Sequence, residues 1–362
     1  MWLYNSIFFS VILSITFLKK KYYKFMFEFF FLICWFLSFI RWEVGTDWDT
    51  YYYIFDKKIE EMAYVNEIGF RMLNYYVHKI TNNYTMLLFL MATIIYRLKY
   101  LIIKKYSKNI LLSLLVFFSL YKADIFFVRM TVAIAINFYS FKYILRKKFI
   151  KFIICILCAY IFHRTAIIFL IAYPIVNYIK FSKKKMWYIF FLAIFLYLFN
   201  FEILNFCNLF LKNIDIEFIK KISFKFNLYI ETKNLYFGND QRNLIGNLRI
   251  FIAMANRIFI YFVILWKSKN LDFYTQKSLL LYGIGFILYF MLTPISIPLG
   301  RLTSYFDIFE LLIIPNIYMT IKNNLVNKIF LSVSFVYFYL KLLSGIYIYY
   351  NLFIPYKTIF NI

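Results

Sequence analysis

The sequence predicts an all-α, polytopic integral membrane protein with about 12 transmembrane helices. Three observations carry that expectation. The chain has 362 residues and is 64% hydrophobic, with a mean hydropathy of +0.69, where a soluble domain averages nearer half apolar. The apolar residues fall in repeated blocks of roughly 16 to 20, the length that crosses about 30 Å of hydrocarbon as a helix. The connections between blocks alternate in charge.

In chain order the blocks cover about 2–18, 25–40, 85–103, 109–121, 125–144, 149–162, 165–179, 186–203, 248–266, 278–293, 302–320 and 328–348. No basic residue precedes the first block, and Lys19, Lys20, Lys21 and Lys24 follow it. That order reads as a first span with its N-terminus outside, not as a cleaved signal. Each later alternate connection repeats the pattern: Lys104, Lys105 and Lys108; Arg146, Lys147, Lys148 and Lys151; Lys180 with Lys183, Lys184 and Lys185; Lys267, Lys269 and Lys277; Lys322 and Lys328. The positive-inside rule places these connections in the cytoplasm. The pair 149–162 and 165–179 is close enough to form a tight hairpin or a re-entrant element. Two long loops, about 41–84 and 204–247, then fall on the outer face. No repeat, linker or appended domain interrupts the pattern, so 1–362 reads as a single multi-pass membrane domain.

The net charge of +25 follows the flanks of the spans and does not mark a nucleic-acid-binding face. The excess of Lys, Asn, Ile, Phe and Tyr resembles the codon bias of an AT-rich genome. The four cysteines, Cys34, Cys155, Cys158 and Cys207, are too scattered for a disulfide framework. Cys155 and Cys158 form a CxxC inside an apolar span with no second pair, so packing is the better reading. With His78 and His163 the only histidines, no metal or other cofactor is expected.

Five constellations could carry chemistry. Arg41-Trp-Glu-Val-Gly-Thr-Asp-Trp-Asp-Thr-Tyr-Tyr follows the second block directly and places Arg41, Glu43, Asp47 and Asp49 around a glycine turn. Tyr51, Tyr52, Tyr53 and Phe55 after it suit a sugar ring. The residues alone leave a site and a solvated interfacial loop equally open. Glu67 opens an amphipathic segment in the same outer loop and is a second carboxylate, or simply an exposed acid on a surface helix. Arg129 lies just inside the fifth block, where an arginine costs roughly 2.5–3.5 kcal/mol unless it is partnered or snorkels to the interface. His163 stands at the outer junction of two blocks and could act as a base or bind phosphate. Arg301 follows Pro294, Pro298 and Gly300 and precedes Tyr305, Asp307 and Glu310. An arginine at a helix start makes an anion site, and one of the two acids could pair with a base inside the bundle. Arg249 and Arg257 are weaker candidates that share a helix face. The topology puts Arg41, Arg129, His163 and Arg301 at one membrane face, which suits a diphosphate on a lipid.

The order of these elements resembles the EpsG family. The matching elements are Arg41-x-x-Val-Gly-Thr-Asp-x-x-x-Tyr, Glu67-x-Gly-Phe, an arginine opening the middle span, Phe-His163-x-(small)-Ala before an apolar run, and Arg301-x-x-x-Tyr305. At Arg129 the chain departs from the pattern, because Met130-Thr131 follows where a more polar stretch is expected. The resemblance implies a polysaccharide polymerase related in role to the Wzy type, working on capsule, O-antigen or exopolysaccharide at the outer face of a bacterial cytoplasmic membrane. Its substrate would be a polyprenyl-diphosphate-linked oligosaccharide, with a flippase and a chain-length regulator as partners. Arg41, Arg129 and Arg301 would hold the diphosphate in place of a metal ion. Asp47 would be the first choice of base, ahead of His163 and Glu67, and Tyr51 and Tyr305 would touch sugar.

Other readings share the topology. A flippase for the same lipid-linked sugars needs as many spans, but such transporters carry acids or broken helices near mid-bilayer. A ligase passing finished glycan to another carrier would differ only in its acceptor, and an acyltransferase would be expected to show a more central histidine.

Overall fold

The computed structural model describes residues 1–56, 67–127, 129–199, 247–266, 271–293 and 297–360. Among these there is no strand, and the one isolated bridge is an antiparallel pairing of Arg41 with Thr358. The longer helices are α1 (Trp2–Phe17), α2 (Tyr23–Ile40), α3 (Trp48–Asp56), α4 (Ile68–Thr81), α5 (Tyr84–Tyr106), α6 (Ile110–Tyr121), α7 (Arg129–Leu145), α8 (Phe149–Phe162), α9 (Ala172–Tyr178), α10 (Lys183–Leu198), α11 (Asn247–Trp266), α12 (Phe273–Leu292), α13 (Glu310–Tyr318) and α14 (Asn324–Tyr347). The loop expected at about 204–247, Cys207 included, lies outside the described residues except for Asn247, which opens α11.

Where its residues are described, each apolar block lies mainly on helix. Among the described residues, four helical segments are long and apolar enough to cross a membrane: Lys20–Ile40, Tyr84–Tyr106, Phe273–Leu292 and Asn324–Tyr347. Trp2–Phe17, Phe149–Phe162 and Arg164–Tyr178 are apolar but shorter. The protein is an all-helical membrane protein, and the count of about twelve crossings goes beyond what these lengths establish. Asparagine, serine and aspartate start many of the helices. Asn83, Asn109, Ser182, Asp272 and Asn323 each accept a hydrogen bond from a backbone N–H in the first turn that follows, satisfying a donor that has no intrahelical partner.

The chain packs as two compact units, Met1–Tyr178 with Ile308–Ile362, and Ile179–Asp307. In the first unit α6 is central. It is apolar all round, and Leu111 through Ser119 are all buried, as a helix without a polar face requires. It packs against α1, α2, α13 and α14, while α5 packs on α2 and α7, and α7 runs along α8. In the second unit α12 packs on α10 and on the short turns that follow it.

Two expected spans are broken. The segment 165–179 begins as a 3-10 stretch, Arg164–Ile171, before α9; Asn137 on α7 donates to the Ala166 carbonyl at 3.0 Å within it. The segment 302–320 is a 3-10 turn, Arg301–Thr303, a short helix, Ser304–Asp307, and then α13. Pro315 inside α13 cannot donate to the Leu311 carbonyl. Ser113 of α6 donates its hydroxyl to that carbonyl instead, at 2.7 Å. Asn316, one residue on, holds the turn between α5 and α6 by accepting from Lys108 N–H at 2.7 Å and donating to the Tyr106 carbonyl at 3.0 Å.

The ends of the helices in the first unit fall into two groups. Tyr4 near the start of α1 donates to the Phe353 carbonyl beyond α14. Arg41 at the end of α2 reaches the segment before α7, and Trp48 packs on Tyr84 at the start of α5. At the other end Lys104 meets Glu28 at 3.4 Å. The signature loop, the turn at Lys122–Phe127 and the C-terminal segment therefore share one end, opposite the Lys104–Glu28 contact.

Candidate functional site

The loop after α2 is shaped by its own backbone. Arg41 leaves helical geometry with φ −61° and ψ 141°. Gly45 follows at φ 122°, a conformation that side-chain-bearing residues rarely adopt. The C-terminal segment straps this loop in place. Trp42 N–H donates to the Lys357 carbonyl at 3.1 Å, Gly45 N–H to the Leu352 carbonyl at 3.0 Å, and Ile359 N–H to the Ile40 carbonyl at 2.9 Å. Lys357 also pairs with Glu43 at 2.9 Å.

Arg41 is buried at 3% exposure. Its two terminal nitrogens donate to the Ile125 carbonyl at 2.9 Å and the Phe127 carbonyl at 3.0 Å. The guanidinium lies 4.5 Å from the centroid of the Phe127 ring. In this structure the arginine braces the connection between α6 and α7.

That connection needs bracing. Lys122, Ala123 and Asp124 have φ of 47°, 49° and 55°, a left-handed run costing of order 1–3 kcal/mol per residue. Tyr96 donates its hydroxyl to the Ala123 carbonyl. Lys99, at 1% exposure, forms an ion pair with Asp124, at 7%. With Arg41 these contacts hold the strained turn, and two residues beyond Phe127 the chain enters α7 at Arg129.

Arg129 meets Glu67 there at 2.5 Å, Nη1 to Oε2, with side-chain exposures of 24% and 14%. Its Nε donates to the Tyr51 hydroxyl at 3.4 Å. The rings of Tyr51 and Phe70 flank the guanidinium at 5.4 and 5.2 Å. Burial raises the pKa of the Tyr51 phenol, and the neighbouring Arg129 charge works against that rise. Asp47 lies one turn before Tyr51, whose N–H donates to the Asp47 carbonyl at 3.0 Å. The Asp47 side chain is half-buried. Gly69, two residues after Glu67, abuts the end of α8: a Cβ there would stand 3.0 Å from the Ile161 carbonyl oxygen. His163, two residues further on, is half-buried with Nδ1 2.6 Å from the Thr165 hydroxyl. Four segments distant in sequence thus bring Asp47, Tyr51, Glu67, Arg129 and His163 to one end of the unit.

The second unit carries a different constellation. Arg257 and Asp307 form a two-pronged pair at 2.8 and 2.6 Å, which answers the expectation that Asp307 or Glu310 finds a base inside the bundle. Thr303 donates its hydroxyl to Asp307 at 2.7 Å, and the Tyr289 ring lies 3.8 Å from the guanidinium. Gly285 leaves room for the carboxylate, since a Cβ there would stand 2.9 Å from Asp307 Oδ1. Arg301 is exposed on its turn. Tyr305, expected to touch sugar, is fully buried, and Tyr51 is spent on Arg129.

The sequence pattern of the EpsG family matches residues 24–358. The chain belongs to the EpsG family. The match includes the C-terminal strap that holds the Arg41 loop, a part of the chain beyond the motifs that carried the resemblance. No curated protein and no solved structure matches the chain. Within this EpsG-family protein, sequence reasoning missed Lys99 and Asp124. The signal was present, since a lysine inside an apolar span calls for a partner.

Proposed function

We propose that this EpsG-family protein polymerises lipid-linked oligosaccharide repeat units at the outer face of a bacterial cytoplasmic membrane, through about twelve spans. The observation that carries the reading is the Arg129–Glu67 pair, assembled with Tyr51 beside Asp47 and the His163 turn. It offers a cation for a diphosphate and carboxylates for an acceptor hydroxyl at one end of the helices.

In the proposed reaction the bond between the growing glycan's anomeric carbon and its diphosphate oxygen breaks. A new bond forms from that carbon to a hydroxyl of the next lipid-linked unit. The hydroxyl proton passes to a carboxylate, and polyprenyl diphosphate leaves. Charge develops on the leaving diphosphate, and a preorganised cation in a low-dielectric site stabilises it. Arg129 takes that role. A diphosphate drawing on Arg129 loosens its hold on Glu67, so Glu67 joins Asp47 as a candidate base, with His163 behind them. Arg41 acts mainly by holding the turn that presents Arg129. Arg301 is a separate anion ligand on its own exposed turn.

The test is glycan length in cells carrying Arg129→Ala, Glu67→Gln or Asp47→Ala. Each variant is expected to stay in the membrane and leave single repeat units outside. Polymer of normal length from the Arg129 variant would overturn the site. Units retained on the inner side would favour a flippase, and finished polymer left on its lipid diphosphate a ligase.

A further inference from the structure

A cavity of about 380 Å³ lies between α2 and α5, lined by Glu28, Phe31, Leu32, Trp35, Tyr96 and Arg97 among others. Both walls belong to segments long and apolar enough to cross a membrane. The groove therefore sits at membrane depth. Arg97 lies seven residues before Lys104, about 10 Å inward along the helix from the lysine-rich end.

The polar groups in the groove are unequally served. Glu28 accepts from the Tyr100 hydroxyl at 2.6 Å and from Lys104 at 3.4 Å, and Lys104 also donates to Tyr100 at 2.7 Å. Trp35 donates its indole N–H to Thr93 at 3.2 Å. Arg97 is exposed and makes no ion pair or hydrogen bond with a described residue. Arg41, Arg129 and Arg257 all have protein partners. An arginine at membrane depth is costly unless an anion or a polar group meets it. One acid, Glu28, shares the lining with Arg97 and meets Lys104, with Lys24 one turn earlier on α2, so the groove and its rim carry an excess of positive charge.

We propose that this groove binds an anionic phospholipid from the lysine-rich side of the membrane, with its phosphate on Arg97 and an acyl chain along Phe31, Leu32 and Trp35. Charge complementarity selects the occupant: the basic groups of the groove and its rim outnumber its one acid, Glu28, and its apolar wall matches a chain more than a free ion. The inference is independent of the polymerase reading, since the groove contains none of the residues assigned to it.

The experiment is native mass spectrometry of the full chain in detergent, titrated with dioleoyl phosphatidylglycerol and, separately, dioleoyl phosphatidylcholine. The wild type is expected to retain a first phosphatidylglycerol about fivefold or more tighter than phosphatidylcholine, the scale of one basic residue near a membrane surface. Arg97→Gln should abolish that preference, and Arg97→Lys should keep most of it. Leu32→Trp fills the groove with Arg97 intact and should also lose the tight lipid, so the idea stays testable if the glutamine variant does not accumulate. Equal retention of the two lipids by the wild type, or wild-type retention in both the Arg97→Gln and Leu32→Trp variants, would overturn it. So would a co-purified polyprenyl phosphate that phosphatidylglycerol cannot displace.

Discussion

Glu67 and Arg129 stand 62 residues apart in the chain, and their side chains meet at 2.5 Å. Neither residue makes a site alone. The pair forms because Gly69 lets the start of α4 press against the end of α8 while the braced turn delivers Arg129 to the same place.

The two members of that pair should respond differently to conservative change. Arg129→Lys keeps a charge but loses the planar fork that suits phosphate. Chain growth in membranes should fall by at least about tenfold, the effect of roughly 1.4 kcal/mol on the barrier. Glu67→Gln should keep the hydrogen bond to Arg129 and so leave thermal stability nearly intact while slowing growth. Equal growth rates for Glu67→Gln and wild type would remove Glu67 from the list of bases.

Arg41→Ala removes two hydrogen bonds from a buried charged donor, each worth about 1.5–3 kcal/mol. The expected outcome is a lower melting temperature of the purified protein together with lost polymer. Arg41→Lys should be nearly as damaging, because one ammonium reaches both the Ile125 and Phe127 carbonyls poorly. A stable Arg41→Ala protein without polymer would instead mean that Arg41 touches substrate.

Lys99→Met leaves Asp124 buried without its partner, a change worth about 3–5 kcal/mol. Lys99→Met with Asp124→Leu should regain much of the lost stability. Thermal unfolding of the single and double variants measures the difference. No recovery in the double variant would show that the strained turn depends on the ion pair itself.

Gly285→Ala in the second unit places a methyl 2.9 Å from both Asp307 Oδ1 and Phe306 Cβ. Overpacking of this kind costs roughly 1–3 kcal/mol. Membrane abundance should drop, and Gly283→Ala, whose closest neighbour is the far end of the Ile189 side chain at 3.1 Å, should be the milder change. The reverse order would mean that the Arg257–Asp307 pair shifts freely.

Helix positions were legible because apolar length and flanking lysines are properties of contiguous sequence. The break before α13 was not, since residues 302–320 read as one apolar stretch and hydropathy is blind to a turn between Asp307 and Glu310. The site was legible as separate candidates: Asp47, Glu67, Arg129 and His163 each stood out as a polar residue at an apolar edge. Their pairings were hidden. Arg41 looked like an anion ligand because an arginine at a span end suits one; its use on two backbone carbonyls depends on a left-handed turn at Lys122–Asp124 that contains no glycine to announce it. Tyr305 looked available because its spacing from Arg301 says nothing about burial.

The strap also fixes an order of events. Glu43 meets Lys357, a residue translated 314 positions later, and the Arg41 loop takes its cross-chain hydrogen bonds from Leu352, Lys357 and Ile359. A nascent chain can insert its early helices, yet the loop bearing Asp47 stays unfastened until residues 352–359 have been made. A product truncated before Leu352 therefore lacks the clasp on its own signature loop, and that loop is fastened only after the helices between it and the strap have been made.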